Sequence, residues 1–193
     1  FLFVLRDPRA IYNSQKTSIH SVTGKPMVSN PFVFAHRYQR NYEFVRRRIR
    51  DATFHVVRYE SLVEAPGPEV KRVLDFLNVQ STEKTADSGY YGRIPVPQQH
   101  LHPLVSRPPQ KDRIAAWQGE LPSEEIWLIQ YLLARPLYEC GYVPLNVPRP
   151  DSYQVKRLLR YAAELPSFCW RRLKSRLADS DRHLTLRGEV GSQ

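Results

Sequence analysis

The stretch FLFVLRDPRAIYNS, residues 1–14, decides how the rest of the chain is read. Phe1 to Leu5 is a short, continuously apolar run that stops abruptly in charge, the pattern of a strand buried on both faces. Asp7 stands where a helix N-cap belongs, and Pro8 stands at the first helical position, where a missing N–H costs nothing. The spacing predicts a helix from Pro8 to about Lys16. Arg6 then falls at the carboxyl end of a strand, and Ser14, four residues after the small Ala10, shares a helical face with it. Ligands of open parallel sheets bind beyond the carboxyl ends of the strands. A permanently charged fork and a hydroxyl converging there would make a phosphate site. The plainer alternative pairs Arg6 with Asp7 or Glu60 and leaves Ser14 as a surface serine.

Working outward, Asn30 caps and Pro31 opens a second helix of about five turns. Its apolar stripe is Ala35, Tyr38, Tyr42, Val45 and Ile49, and the opposite face carries Arg37, Arg40, Arg46, Arg47 and Arg48. The basic face reads as a solvated surface. Thr53 to Val57 is a second strand, ending in Arg58-Tyr59-Glu60. Pro66 and Pro68 open a helix with Val70, Val73, Leu74 and Leu77 on one side. Two strands, each followed by a helix, imply βα units and a parallel sheet. Residues 78–113 lack a clear period and read as an ordered loop or lid. Another helix starts at Pro122 with Ile126, Ile129 and Leu133 inward; Pro136 should kink or end it, and Gly141 should close the segment. Residues 144–150 read as a linker. Beyond it, Tyr153 to Ala163 and Pro166 to Leu177 form two short basic amphipathic helices. These pack against the domain or a neighbouring chain, the alternative being contact with an anionic membrane surface.

Composition sets the outer bounds. With 193 residues, 41% of them hydrophobic, the chain is long enough for one α/β domain with a core. A net charge of +10 points to an anionic partner: nucleic acid, a membrane surface, or a phosphorylated or sulfated ligand. Two cysteines, Cys140 and Cys169, make no disulfide scaffold; they are free thiols or a single bridge. No apolar run approaches a membrane span. His100 and His102 lack a third and fourth ligand, so no metal is expected. The first residue is Phe and lies inside a strand-like run, which reads as a piece of a longer chain.

Leu5 to Ser14 resembles the 3′-phosphate-binding motif of sulfotransferases that use 3′-phosphoadenosine 5′-phosphosulfate (PAPS), in which an arginine at a strand end and a serine eight residues later hold the 3′-phosphate. Arg6 and Ser14 match in type and spacing. Val57 to Leu62 resembles the family's RYEDL segment, which would place Tyr59 near the adenine; Ser61 replaces the usual Asp. Val70 to Asn78 resembles the helix that follows. Lys111 to Tyr142 resembles the family's carboxyl-terminal portion, with Trp117 and Gly141-Tyr142 as its tryptophan and Gly-Tyr. There Lys111 matches a lysine that closes over the 3′-phosphate, Gln110 and Asp112 depart from the pattern, and Arg113 is a candidate substitute. The cofactor-binding set implied by the resemblance is thus Arg6, Ser14, Tyr59, Lys111 and Arg113.

The resemblance covers residues 1–145 and leaves 146–193 as a proline-containing linker and basic helical tail. It implies a P-loop-NTPase-like parallel sheet flanked by helices and incomplete at its N-terminus, with PAPS as sulfuryl donor and no metal. The RDPRA form and the Gly-Tyr-x-Pro ending resemble the carbohydrate and bacterial branches. The acceptor would be a hydroxyl or amine, a glycan being the leading case. The compartment would be cytoplasmic for a bacterial protein and the Golgi lumen for a eukaryotic one. The family's 5′-phosphosulfate loop and catalytic His or Glu are expected upstream of residue 1, so no catalytic residue is assigned. Two rivals remain at this level. A basic nucleic-acid-binding module would use the arginine-rich helix, but Tyr38 and Tyr42 lie on its apolar stripe and make poor stacking platforms. A P-loop nucleotide kinase would need a Gly-Lys-[Ser/Thr] loop and an acidic magnesium ligand.

Overall fold

A computed structural model describes residues 1–80 and 110–165. Most of the expected lid at 78–113, the His100/His102 pair, Cys169 and the expected helix at 166–177 lie outside the described residues.

Two parallel strands, β1 (Leu2–Leu5) and β2 (His55–Arg58), pair in the register Leu2↔His55 to Leu5↔Arg58. The crossover between them contains α1 (Pro8–Thr17) and α2 (Pro31–Arg48), and β2 runs directly into α3 (Tyr59–Glu64) and α4 (Pro66–Leu77). After the undescribed segment come α5 (Asp112–Ala115), α6 (Trp117–Glu120), α7 (Ser123–Leu132), α8 (Ala134–Glu139) and α9 (Ser152–Ala163). The described chain is therefore mixed α/β, with a small parallel sheet among helices.

The caps read from sequence form. The Asp7 carboxylate accepts the Arg9 N–H at the start of α1, and the Asn30 side chain accepts from Phe32 and Val33 at the start of α2. Asn78, not among the caps expected from sequence, ends α4 in the left-handed conformation at φ 54°, its N–H turned back to Leu74 and Asp75. Gly141, at φ +72°, turns the chain after α8. Pro136 acts at a distance of one turn. Its ring excludes the carbonyl four residues back, and the helix breaks after Leu132 before α8 restarts at Ala134.

Three burial expectations are corrected. β1 is not buried on both faces: Leu2 is 47% and Val4 55% exposed. Among the described helices, α3 and α4 pack on β2, where Phe76 of α4 stacks on His55. Ile49 leaves the apolar stripe of α2, because the helix ends at Arg48 and its cap turns outward, leaving Ile49 55% exposed. Leu77, at the last position of α4, is likewise exposed.

The core lies among the helices rather than on the sheet. Tyr12, Phe34, Trp117, Ile129, Leu133, Leu137 and Leu158 pack in one cluster drawn from α1, α2, α6, α7, α8, α9 and the break between α7 and α8. Residues 144–150 form neither helix nor strand, yet they are docked: the Leu145 N–H donates to the Gln130 side-chain oxygen, and the Gln130 amide nitrogen donates back to the Leu145 carbonyl. Helix α9 packs on α7 and α2, with Leu158 in the core, Arg157 paired to Glu124, and the Tyr161 carbonyl accepting from Asn30. Leu159, on its outer side, is exposed.

Candidate functional site

The register of the sheet places the site. Because Leu5 pairs with Arg58, the next residues along each strand, Arg6 and Tyr59, emerge side by side at the carboxyl ends. The Arg6 guanidinium lies over the Tyr59 ring, 4.1 Å from its centroid, an arrangement that holds the fork in one plane. One step further, the Asp7 N–H donates to the Glu60 carboxylate at 2.9 Å, so the two chain segments stay joined past the end of the ladder.

Arg6 pairs with neither Asp7 nor Glu60. Asp7 is bound by Arg9, with Nη2 2.7 Å from Oδ2 and Nε 3.0 Å from Oδ1. Glu60 accepts from Asp7 N–H and from the Tyr142 hydroxyl at 3.1 Å, and Arg58 lies 3.7 Å away. Among the described residues no carboxylate lies within ion-pairing distance of Arg6, and its buried Nε has no hydrogen-bond partner. Leaving that buried N–H unpaired is costly, whereas the Arg6 side chain as a whole is only half-buried. The Arg6 carbonyl, by contrast, accepts from the Tyr38 hydroxyl at 3.4 Å.

Ser14 lies half-buried on α1. Its carbonyl accepts from Ser18 and Thr17, while its hydroxyl bonds to no described residue. Its neighbour Asn13 donates to Glu120 at 2.5 Å, and Glu120 also pairs with Arg113 at 3.1 Å. Arg113 is thereby tied to the helix that carries Ser14, with its charge met by a carboxylate. Lys111 is exposed just before α5 and has no described partner. The structure thus joins Arg6 with Tyr59 and links Arg113 to α1. It shows no direct contact of Lys111 with either pair.

Two residues absent from the expected set organise this region. Arg9 is 3% exposed; besides Asp7 it binds the Gln130 side chain at 2.6 Å and the Val143 carbonyl at 3.1 Å, and it stacks 4.1 Å from the Trp117 ring. Glu60 joins the first turn, the second strand and Tyr142. The signal for both was in the quoted motifs, since Arg9 belongs to Arg-Asp-Pro-Arg and Glu60 to Arg-Tyr-Glu. Their roles depend on partners more than 80 positions away. Arg58 completes the lattice by donating to the Cys140 carbonyl at 2.9 Å and stacking over Tyr142 at 4.4 Å. Burial, then the Glu60 charge, pushes the Tyr142 phenol up, so it stays a neutral donor; burial likewise raises Tyr38. Cys140 is a free thiol whose acidity burial weakens.

Residues 1–83 match the model of a family described as the Sulfotransferase family. The match takes in β1 through α4, and with them Arg6, Ser14 and Tyr59; Lys111, Arg113 and Trp117 lie beyond it. No curated protein matches the chain.

Proposed function

We propose that the chain belongs to a PAPS-dependent sulfotransferase domain, built on a P-loop-like parallel sheet, that moves a sulfuryl group to an acceptor hydroxyl or amine, with a carbohydrate as the acceptor class. Within it, Arg6 and Ser14 hold the 3′-phosphate, and Tyr59 lies near the adenine. Lys111, and Arg113 once released from Glu120, close over the phosphate from the other side. One observation carries this reading. Inside the segment matched by the family model, an arginine at a strand end keeps a buried, unpartnered Nε while both neighbouring carboxylates are bound elsewhere. An arginine without a carboxylate suits a phosphate, which accepts two parallel N–H bonds from the fork.

In sulfuryl transfer the acceptor attacks sulfur in line and 3′-phosphoadenosine 5′-phosphate leaves. Negative charge grows on the leaving phosphate oxygen, where cations and N–H groups supply stabilisation. Arg6 and Ser14 anchor the nucleotide so that this geometry holds; they are not chemical participants. The two tyrosines of the arginine-rich helix are not free as stacking platforms for a nucleic acid, because Tyr42 is buried and bonded to Glu139 and the Tyr38 hydroxyl is turned to the Arg6 carbonyl.

Calorimetry on the 193-residue chain tests the proposal. 3′-Phosphoadenosine 5′-phosphate should bind, and adenosine 5′-monophosphate, which lacks the 3′-phosphate, should bind at least about tenfold more weakly, the value of one charge-assisted contact. Equal affinity for the two would remove the role given to Arg6 and Ser14.

A further inference from the structure

We infer that the carboxyl-terminal end of α2 and the turn after it form a docking surface for an anionic phospholipid bilayer. Phe44 lies four residues after Arg40, and Arg47 and Arg48 lie three and four residues after Phe44, along the outer face of α2; all four are exposed. Ile49 and Arg50 continue the surface into the turn. Phe44 is 53% and Ile49 55% exposed, and the Arg48 guanidinium lies 4.6 Å from the Phe44 ring centroid.

Most of the positive charge here has no ion pair within the described chain. Glu43 is taken by Arg46 and lies near Arg135, both off this stripe. Asp51, the one acidic residue in the turn, accepts the N–H and hydroxyl of Thr53; those bonds, then Arg48, hold its carboxyl below the usual range. Arg40, Arg47, Arg48 and Arg50 have no ion-pair partner among the described residues. Four unpaired arginines around two large exposed apolar side chains match the two layers of a membrane surface, phosphate outside and acyl chain beneath. A purely polyanionic partner would need the arginines and have no use for Ile49.

The position leaves the proposed nucleotide site accessible. Tight turns through Asp51 and Phe54 connect Arg48 to the amino end of β2, whereas Arg6 and Tyr59 stand at the carboxyl ends of the strands. Tyr38, which bonds the Arg6 carbonyl, is ten residues from Arg48, or about 15 Å along the helix, while Arg40, at the near end of the stripe, is two residues from it. A bilayer seated on the Phe44-to-Arg50 end meets the opposite end of the ladder from Arg6 and Tyr59.

Vesicle co-sedimentation of the 193-residue chain tests this. Binding is expected to vesicles of phosphatidylcholine with a third phosphatidylserine and not to phosphatidylcholine alone. Arg47→Gln with Arg48→Gln should weaken it about fivefold per arginine. Phe44→Ser with Ile49→Ser, which leaves the charge intact, should weaken it at least about tenfold, with unchanged circular dichroism and unchanged binding of 3′-phosphoadenosine 5′-phosphate. The proposal is overturned if the Phe44/Ile49 variant binds vesicles like the parent chain, which would mark a polyanion surface. It is also overturned if Lys156→Gln with Arg160→Gln on α9 abolishes binding while the α2 variants do not, or if neither vesicle binds.

Discussion

At the scale of single residues, the two arginines of Arg6-Asp7-Pro8-Arg9 have opposite occupations, although spacing alone would not separate them. Arg9 takes the carboxylate, and Arg6 is left with a ring beneath it and an unpartnered Nε. Arg6→Ala should therefore cost affinity for 3′-phosphoadenosine 5′-phosphate, by about 1.5–3 kcal/mol, with little effect on folding. Ser14→Ala, which removes a neutral hydroxyl contact, should cost about 0.5–1.5 kcal/mol. Arg6→Lys should recover only part of the loss, since a point charge cannot reproduce the fork. A titration series on the three variants at fixed ionic strength decides the order. Arg9→Met should behave differently: it strands Asp7 in a buried site and should lower unfolding stability by about 3–5 kcal/mol in urea. A normal urea midpoint for Arg9→Met would mean that the Asp7–Arg9 pair is not the clamp its geometry describes.

At the scale of elements, α2 is fixed at its start by one side chain with two tasks. Asn30 accepts the first N–H groups of the helix and donates to the Tyr161 carbonyl of α9 at 2.8 Å. Asn30→Ser keeps a cap acceptor and loses the donor to Tyr161, whereas Asn30→Ala loses both. The alanine variant should be less stable than the serine variant by about 1 kcal/mol, the usual worth of an N-cap, read from thermal or urea unfolding of the pair. Helices α1, α7 and α9 are joined in the same manner through Glu125, which is fully buried and accepts from Lys16 at 2.7 Å and the Tyr161 hydroxyl at 2.9 Å. Charge on Lys16 is what makes that carboxylate tolerable, so Lys16→Met should destabilise and Lys16→Met with Glu125→Leu should regain much of the loss.

At the scale of the whole molecule, buried phenols tie stability to alkaline pH. Burial raises Tyr12, Tyr38 and Tyr142 far above the ordinary phenol value, and Tyr161 is pushed up to about 12. A folded-state pKa above the unfolded one means the folded chain keeps protons that the unfolded chain releases. Stability is then level below about pH 10 and falls as pH rises past it, by up to about 1.4 kcal/mol per pH unit for each such group. Urea midpoints measured from pH 8 to pH 11 should be flat and then drop. A flat profile to pH 11 would show these hydroxyls reaching water.

What the sequence determined by itself was local. Asp7-Pro8 and Asn30-Pro31 specify helix starts through side-chain acceptors and a fixed φ. Pro136 and Gly141 specify a break and a turn, and the apolar runs ending at Arg6 and Arg58 specify two strands with charge at one end. These signals act within a few residues, so they survive in the linear order. The tertiary structure decided whatever depends on competition between distant groups. It assigned Asp7 to Arg9 and Glu60 to Tyr142 and Asp7 N–H, leaving Arg6 unpaired; it tied Arg113 to Asn13 through Glu120; and it exposed Leu2, Val4 and Ile49 against the apolar pattern. A carboxylate goes to the donor that geometry brings nearest, and an apolar side chain is buried only if another element packs over it. Neither outcome is encoded by the spacing of the residues concerned, because each depends on where remote segments come to rest.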